Sequence, residues 1–224
     1  MSLPKEITSK SFFILLAVVL FLGFLSRLFI AYRFYGTYDI ASYEKIWGYW
    51  KEGLSPYDGS RRYNYCPLWF NLLCVLHFLN GYLHFPPHIV IKFPLIISDT
   101  LTTGLLVWFS MRNGRSLADH LRIAVLFFLN PVAFLISSYH GQVDTICLLF
   151  ILIACVIEMG GARRKFLFSA LCIAMAVAVK HSMVMVAFLM AFRQTGWTKR
   201  VLYLVISVSI FWISIFPYLL WQGW

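Results

Sequence analysis

Five stretches of this chain, 11–32, 88–110, 123–138, 143–159 and 201–220, are apolar over lengths that decide its fold class before any motif is read. A hydrocarbon core about 30 Å thick takes roughly 20 helical residues at about 1.5 Å each, so each stretch is a candidate membrane span. The composition agrees: of 224 residues 61% are hydrophobic, 18% aromatic and only 12% charged, which excludes a disordered chain and an ordinary soluble domain. The sequence therefore predicts an all-α, multi-pass transmembrane bundle as a single domain over 1–224. Its first span is too long for a removed signal peptide, lacks a small-residue cleavage site and reads as a retained anchor.

The net charge of +10 follows loops rather than a nucleic-acid-binding patch, and no basic run alternates with base-stacking aromatics. Lys5 and Lys10, then Arg112, Arg115 and Arg122, then Arg163, Arg164 and Lys165, then Arg193, Lys199 and Arg200 form four clusters. The positive-inside rule assigns all four to one side of the membrane, the cytoplasmic one. Each intervening segment must then go out and return. That places the loop at about 33–66, the turn at 140–144 and the polar break Lys180-His181-Ser182 together on the outer side. Parity then makes 67–84 re-entrant or interfacial; the alternative, in which 67–84 crosses and 88–110 rises, would export the Arg112/Arg115/Arg122 loop and internalise 140–144, so the first arrangement is preferred. The stretch 166–192 reads as two short helices meeting at Lys180, with irregular backbone tolerated where it lines a cavity. Cys66, Cys74, Cys147, Cys155 and Cys172 lack the spacing of a zinc site or a disulfide framework and are expected as free thiols.

The loop 33–66 holds four of the nine acidic residues with five basic ones and a dense set of aromatics. Ile40, Tyr43, Trp47 and Trp50 recur at helical spacing, which predicts a short interfacial helix with its aromatics at headgroup depth. Asp39 opens it, either as an N-cap or as a carboxylate at the membrane boundary able to take a proton from a hydroxyl. Arg61 and Arg62 are solvated loop charges, headgroup anchors or a phosphate clamp. Arg27 either snorkels from the first span or reaches the same anion.

Ionisable residues within apolar runs cost about 2.5 to 3.5 kcal/mol at a span's centre and tend to mark sites. His140 and Asp144 are four apart and would share one helix face, with Gln142 off it. They read as a polar network joining helices, as recognition of substrate hydroxyls, or least readily as two metal ligands. Lys180, beside His181, is a snorkelling lysine at a helix break or an anion-binding one. Asp99 is expected to pair with a bundle neighbour, Lys92 lying close to its face. No metal or other cofactor is indicated, and neither Gly36 nor Gly160-Gly161 forms a nucleotide-binding loop.

Taken in order, Tyr38-Asp39, Ser55-Pro56-Tyr57, Tyr63-Asn64-Tyr65-Cys66-Pro67-Leu68, Ser98-Asp99, Leu129-Asn130-Pro131, Tyr139-His140-Gly141-Gln142-Val143-Asp144 and Val179-Lys180-His181-Ser182 resemble the GT-C superfamily of integral-membrane glycosyltransferases. The likeness is to its polyprenyl- or dolichyl-phosphate-sugar-dependent mannosyl- and glucosyltransferases, and it runs from about 20 to 220. It implies inverting hexose transfer from a polyprenyl-phosphate donor to an acceptor on the outer face, with Asp39 as catalytic base or acceptor-orienting group. It also implies that Arg61, Arg62, Tyr63, Tyr65 and Lys180 hold the donor phosphate and sugar; His140, Gln142, Asp144 and His181 are the further candidate substrate contacts. Cys66 stands where relatives commonly carry a second proline. The likeness covers only the N-terminal half of such enzymes, which implies a fragment, a chain completed by a second membrane subunit, or loss of transfer. The rival readings are a non-catalytic, lipid-binding membrane subunit and a lipid-linked sugar flippase. The lack of an internal repeat weighs against the flippase, and the lack of an Asn-x-Ser/Thr acceptor suits a prokaryotic cell membrane rather than the endoplasmic reticulum.

Overall fold

The computed structural model describes residues 9–57, 63–160 and 165–221, and among them every regular element is helical. Arg61 and Arg62, expected at the donor phosphate, lie outside the described residues, as do Lys5, Arg163 and Arg164 of the basic clusters. The elements are α1 (Ser9–Arg33), α2 (Tyr38–Lys51), α3 (Pro67–Leu83), α4 (Pro87–Arg112), α5 (Leu117–Phe128), α6 (Pro131–Phe134), α7 (Asp144–Met159), α8 (Lys165–Val179), α9 (Val184–Phe192) and α10 (Trp197–Trp221). A π-helical turn, Leu135–His140, follows α6, and a 3₁₀ turn, His181–Met183, precedes α9.

Three helices, α1, α4 and α10, are long and apolar enough to cross a membrane, and α5 with the α6–π segment makes a fourth if that bent pair is counted as one. Along α1, Phe13, Ile14, Phe21, Leu22 and Phe29 all point outward and exposed. An unbroken apolar surface of this kind suits lipid and not water. The bend of 45° between α5 and α6 has a local cause. Pro131 lacks the N–H needed to continue α5, and Asn130 caps the new helix by accepting from the Val132 N–H at 2.8 Å.

The bundle has two chemically distinct ends. At one, Phe12 of α1 packs edge-on to His120 of α5, and Glu158 at the end of α7 accepts from Lys165 through its carbonyl and from Gln194 through its carboxylate. The described members of the four basic clusters all belong to segments at this end. At the other, Lys92 Nζ donates to the Phe34 carbonyl at 2.8 Å, and the Cys66 N–H donates to Val179 O at 3.3 Å. Both termini of α3 thus lie at the Asp39 end, so this helix of 17 residues does not run the length of the bundle. The break at Lys180 separates two antiparallel legs: α8 climbs from Glu158 to the Asp39 end, and α9 returns the chain to Gln194 beside Glu158.

Helix α2 differs from the interfacial helix expected from its aromatic spacing. Ile40, Tyr43 and Ile46 are fully buried, because the stripe at helical spacing faces α3 and α4. Tyr43 meets Trp69 edge-on at 5.4 Å, and Trp47 stacks on His77 at 4.3 Å. Ile40 and Tyr43, expected on an interfacial stripe, are therefore core, Trp47 is half-buried, and the side chain of Trp50 lies outside what the structure describes. A lipid interface and a protein interface demand the same amphipathic pattern, so the sequence alone does not separate them.

Arg27 also departs from its reading as a snorkelling or anion-reaching group. It is fully buried, with its Nε 3.3 Å from Asp99 Oδ2 and its guanidinium between the rings of Phe128 and Phe134, at 4.0 and 4.1 Å from their centroids. Asp99 therefore pairs with Arg27 of α1 and not with Lys92, whose ammonium turns to the Phe34 carbonyl. This one cluster ties α1, α4, α5 and α6 together. Removing a single partner strands the other charge in a medium that cannot solvate it, which costs about 3 to 5 kcal/mol, whereas an apolar pair of similar volume is tolerated. Asp99→Leu should lower the unfolding free energy in detergent by that amount, and Arg27→Met with Asp99→Leu should restore most of it. Equal destabilisation by the double variant would show that the pair is not what holds these helices.

Candidate functional site

At the Asp39 end, four sequence-distant segments converge on a cavity of about 590 Å³. Tyr38 and Asp39 come from the start of α2, Asn64 and Tyr65 from the approach to α3, Gln142 from the turn before α7, and Lys180, His181 and Ser182 from the turn between α8 and α9. The three polar regions that charge distribution assigns to one side of the membrane thus meet around one space.

Asp39 is the second residue of α2 and not its N-cap. Its Oδ2 lies 3.2 Å from His140 Nδ1 and accepts from Gln142 Nε2 at 3.1 Å. Its side chain remains a quarter exposed, so the carboxylate is oriented yet open to the cavity. Thr37 steadies the histidine from the α2 side, its hydroxyl donating to the His140 carbonyl at 3.1 Å and lying 3.3 Å from Nδ1. Thr37 carries no signal in the sequence beyond its place just before the helix, and only the contact across 103 residues reveals its part.

The expectation that His140 and Asp144 share a helix face is corrected. The π turn ends at His140, and Gly141 follows with φ 77°, so the chain reverses before α7 begins at Asp144. The two side chains part: His140 turns to Asp39, and Asp144 Oδ1 accepts from Lys180 Nζ at 2.7 Å. Both groups are thus spent on separate partners, and among the described residues no three His, Cys, Asp or Glu side chains converge as metal ligands do.

Two glycines permit this approach. Gly36 has φ 107°, and a Cβ there would run into the Tyr139 carbonyl and stand 3.1 Å from Lys92 Nζ. A Cβ on Gly141 would strike the Ile40 side chain, one residue from Asp39. Both positions combine a left-handed backbone with space for hydrogen alone.

The remaining expected residues divide. Tyr65 lines the cavity, and burial holds its phenol above the ordinary range, with the nearby Asp39 and Asp144 charges adding to the rise, so at neutral pH it is a hydrogen-bond donor. Tyr63 does not line it. It is buried among Tyr57, Tyr65 and Phe70, and its hydroxyl donates to the Cys66 carbonyl at 3.4 Å. Cys66 is a buried free thiol whose titration burial pushes up to about 11. Among the described lining residues Lys180 is the one with a permanent positive charge.

An apolar groove of about 310 Å³ is lined by Asp99, Phe127, Val132, Ala133, Ile136 and Leu148, and also by Thr145 and by Asp144, whose partner Lys180 lines the polar cavity. Val132 is well exposed along it. The Lys180–Asp144 pair therefore stands between a polar cavity and a groove open on the apolar flank of the bundle.

No protein-family profile, curated protein or solved structure matches this chain.

Gly141→Ala should strain the left-handed turn, at about 1 to 3 kcal/mol, and push Ile40 and Asp39 away from His140. The expected result in detergent is a lower midpoint of thermal unfolding than for Gly104→Ala, where a Cβ meets open space. Equal midpoints would mean that the turn does not depend on glycine.

Proposed function

We propose that the chain is a membrane hexosyltransferase of GT-C type, using a polyprenyl-phosphate sugar on the outer face of a membrane. What supports this reading most is the position of Asp39. Its carboxylate is anchored on one oxygen by His140 and Gln142 and partly open to a cavity that a lysine shares.

A sugar on a polyprenyl phosphate presents a polar head at the membrane surface and a long apolar tail in the bilayer. The adjoining polar cavity and apolar groove offer one environment for each, and the Lys180–Asp144 pair lies where phosphate and tail meet. In the reaction proposed, an acceptor hydroxyl attacks the anomeric carbon from the face opposite the phosphate. Its proton passes to the Asp39 carboxylate as the new C–O bond forms, and the bond from the anomeric carbon to the phosphate oxygen breaks with its electron pair. The polyprenyl phosphate leaves with one more negative charge, and the configuration at the anomeric carbon inverts. Lys180 balances that growing charge, an effect largest where water is excluded. His140 and Gln142 fix the direction of the carboxylate, and Asn64, Tyr65, His181 and Ser182 supply hydrogen bonds for sugar hydroxyls.

A prokaryotic cell membrane is the proposed setting, in keeping with a sequence that holds no Asn-x-Ser/Thr acceptor, and the polyprenyl-phosphate sugar in that membrane is the proposed partner.

The test is transfer of labelled hexose from synthetic polyprenyl-phosphate hexose to a panel of alcohol and sugar acceptors, in liposomes. Loss of a positioned general base commonly costs about 10² to 10⁴ in rate, so Asp39→Asn should fall by that range with binding of the donor retained. Lys180→Met should weaken donor binding and turnover together. Equal transfer by the unaltered chain and Asp39→Asn would remove the carboxylate from the mechanism. Donor binding with no transfer by either would identify a lipid-binding subunit instead.

A further inference from the structure

At the Arg122 end, far from the Asp39 cavity, a second cleft of about 920 Å³ opens between α4 and α5 and is bounded on one side by Met159 of α7. Its walls are of two kinds. Leu106 and Phe109 of α4 and Leu126 of α5 form an apolar flank, with Leu126 strongly exposed. Arg115 at the turn between the helices and Arg122 within α5 form a basic rim. A smaller adjoining cleft of about 210 Å³ shares Phe109 and Met159 and adds Arg112, whose guanidinium lies 5.4 Å from the ring of the exposed Trp108.

The charges at this rim are unbalanced. Asp119, the acid in the cleft, already accepts from Arg122 at 3.1 Å and from the Ser116 hydroxyl at 2.7 Å. Among the described residues no carboxylate lies within ion-pair reach of Arg112 or Arg115. Two guanidiniums with no carboxylate partner therefore stand at these adjoining clefts, Arg115 at the larger and Arg112 at the smaller, where it lies over Trp108, a residue of the kind found at the boundary between headgroups and acyl chains. A cluster of solvated loop charges would account for the arginines. It would not account for an amphipathic cleft whose polar and apolar halves follow the direction of a lipid molecule.

We propose that the two adjoining clefts, which meet at Phe109, Asn113 and Met159, form a binding site for one anionic phospholipid, its phosphate at the rim between Arg115 and Arg112 and an acyl chain lying along Leu106, Phe109 and Leu126. The occupant is a lipid and not a soluble phosphate because Leu106, Phe109, Ile123 and Leu126 offer nothing to a small polar ion. The site is separate from the transfer chemistry proposed above and does not depend on it. Its consequence is mechanical: a lipid seated there bridges the α4–α5 turn and the end of α7, the two other ends of helices that carry Lys92, Asp99 and Asp144 toward the Asp39 end.

The experiment is native mass spectrometry of the full chain in detergent, offered equal amounts of phosphatidylglycerol and phosphatidylcholine. The anionic lipid should be retained in preference. Its occupancy should fall about 5-fold for each arginine removed, in Arg115→Gln and in Arg112→Gln with Arg115→Gln, on the scale of one basic residue at an anionic membrane surface. Lys199→Gln, in a different basic cluster, should leave it unchanged, and glycerol phosphate should not compete. On the unaltered chain, raising salt from about 0.05 to about 0.5 M should lower retention of the anionic lipid alone, a readout that needs no variant to fold. Equal retention of the two lipids, an equal loss in Lys199→Gln, insensitivity to the arginines in a variant that elutes as the unaltered chain does, or displacement by glycerol phosphate would each overturn the proposal.

Discussion

A charge in a medium that cannot solvate it must find a partner, and in this chain that requirement fixes which helices are neighbours. Arg27 is permanently charged and buried, so α1 packs where Asp99 of α4 can meet it and where Phe128 and Phe134 can cover both faces of the guanidinium. Once α1 and α4 are joined there, Lys92 is in place to reach the Phe34 carbonyl at the end of α1. A cation at the carboxyl end of a helix is favoured by the helix dipole. The turn carrying Gly36, Thr37 and Asp39 is held in consequence. The Asp39 cavity is thus the far end of a series of pairings that begins inside the bundle.

Much of this arrangement was legible in the sequence, and the reason is physical. Apolar length identifies α1, α4 and α10 without further information, because a bilayer of fixed thickness demands it. The distribution of Lys and Arg placed 33–66, 140–144 and 180–182 on one side, and those segments line one cavity. The same parity argument denied 67–84 a full crossing, and both ends of α3 do lie at the Asp39 end. The positions that misled were those where two environments ask for the same pattern. Tyr43 and Trp47 have the spacing of an interfacial stripe and of a core stripe alike. His140 and Asp144 have helical spacing across a glycine whose left-handed conformation ends the helix. Arg27 near a span's end fits snorkelling until Asp99, 72 residues away, is brought beside it. Thr37 and the Lys180–Asp144 pair depend on contacts between distant segments, which no local pattern encodes.

The functional account joins two halves of unequal origin. The chemistry proposed rests on the resemblance of an ordered series of short motifs to one superfamily. The geometry supplies what the motifs lack, a reason for their spacing: Tyr38-Asp39, Asn64-Tyr65, Gln142 and Lys180-His181-Ser182 are far apart in the chain because each sits on a different connection at one end of the bundle. In the proposed reaction the carboxylate held by an imidazole and an amide orients a hydroxyl, and Lys180, paired with Asp144 between the polar cavity and the apolar groove, meets the phosphate of a lipid-linked donor. Tyr63, expected at the donor, packs in the aromatic layer with Tyr57 and Phe70, beside Tyr65.

The central claim is that one lipid-linked anion occupies the space between Lys180 and the groove beside Asp144. Photo-crosslinking with a polyprenyl-phosphate hexose carrying a diazirine on its first isoprene unit, followed by peptide mapping, tests it directly. Label on the 132–148 segment and on the 180–182 turn, suppressed by excess unmodified donor, is the result the account predicts. Label confined to the outward face of α1, or spread over all lipid-facing helices and unaffected by competitor, would contradict it.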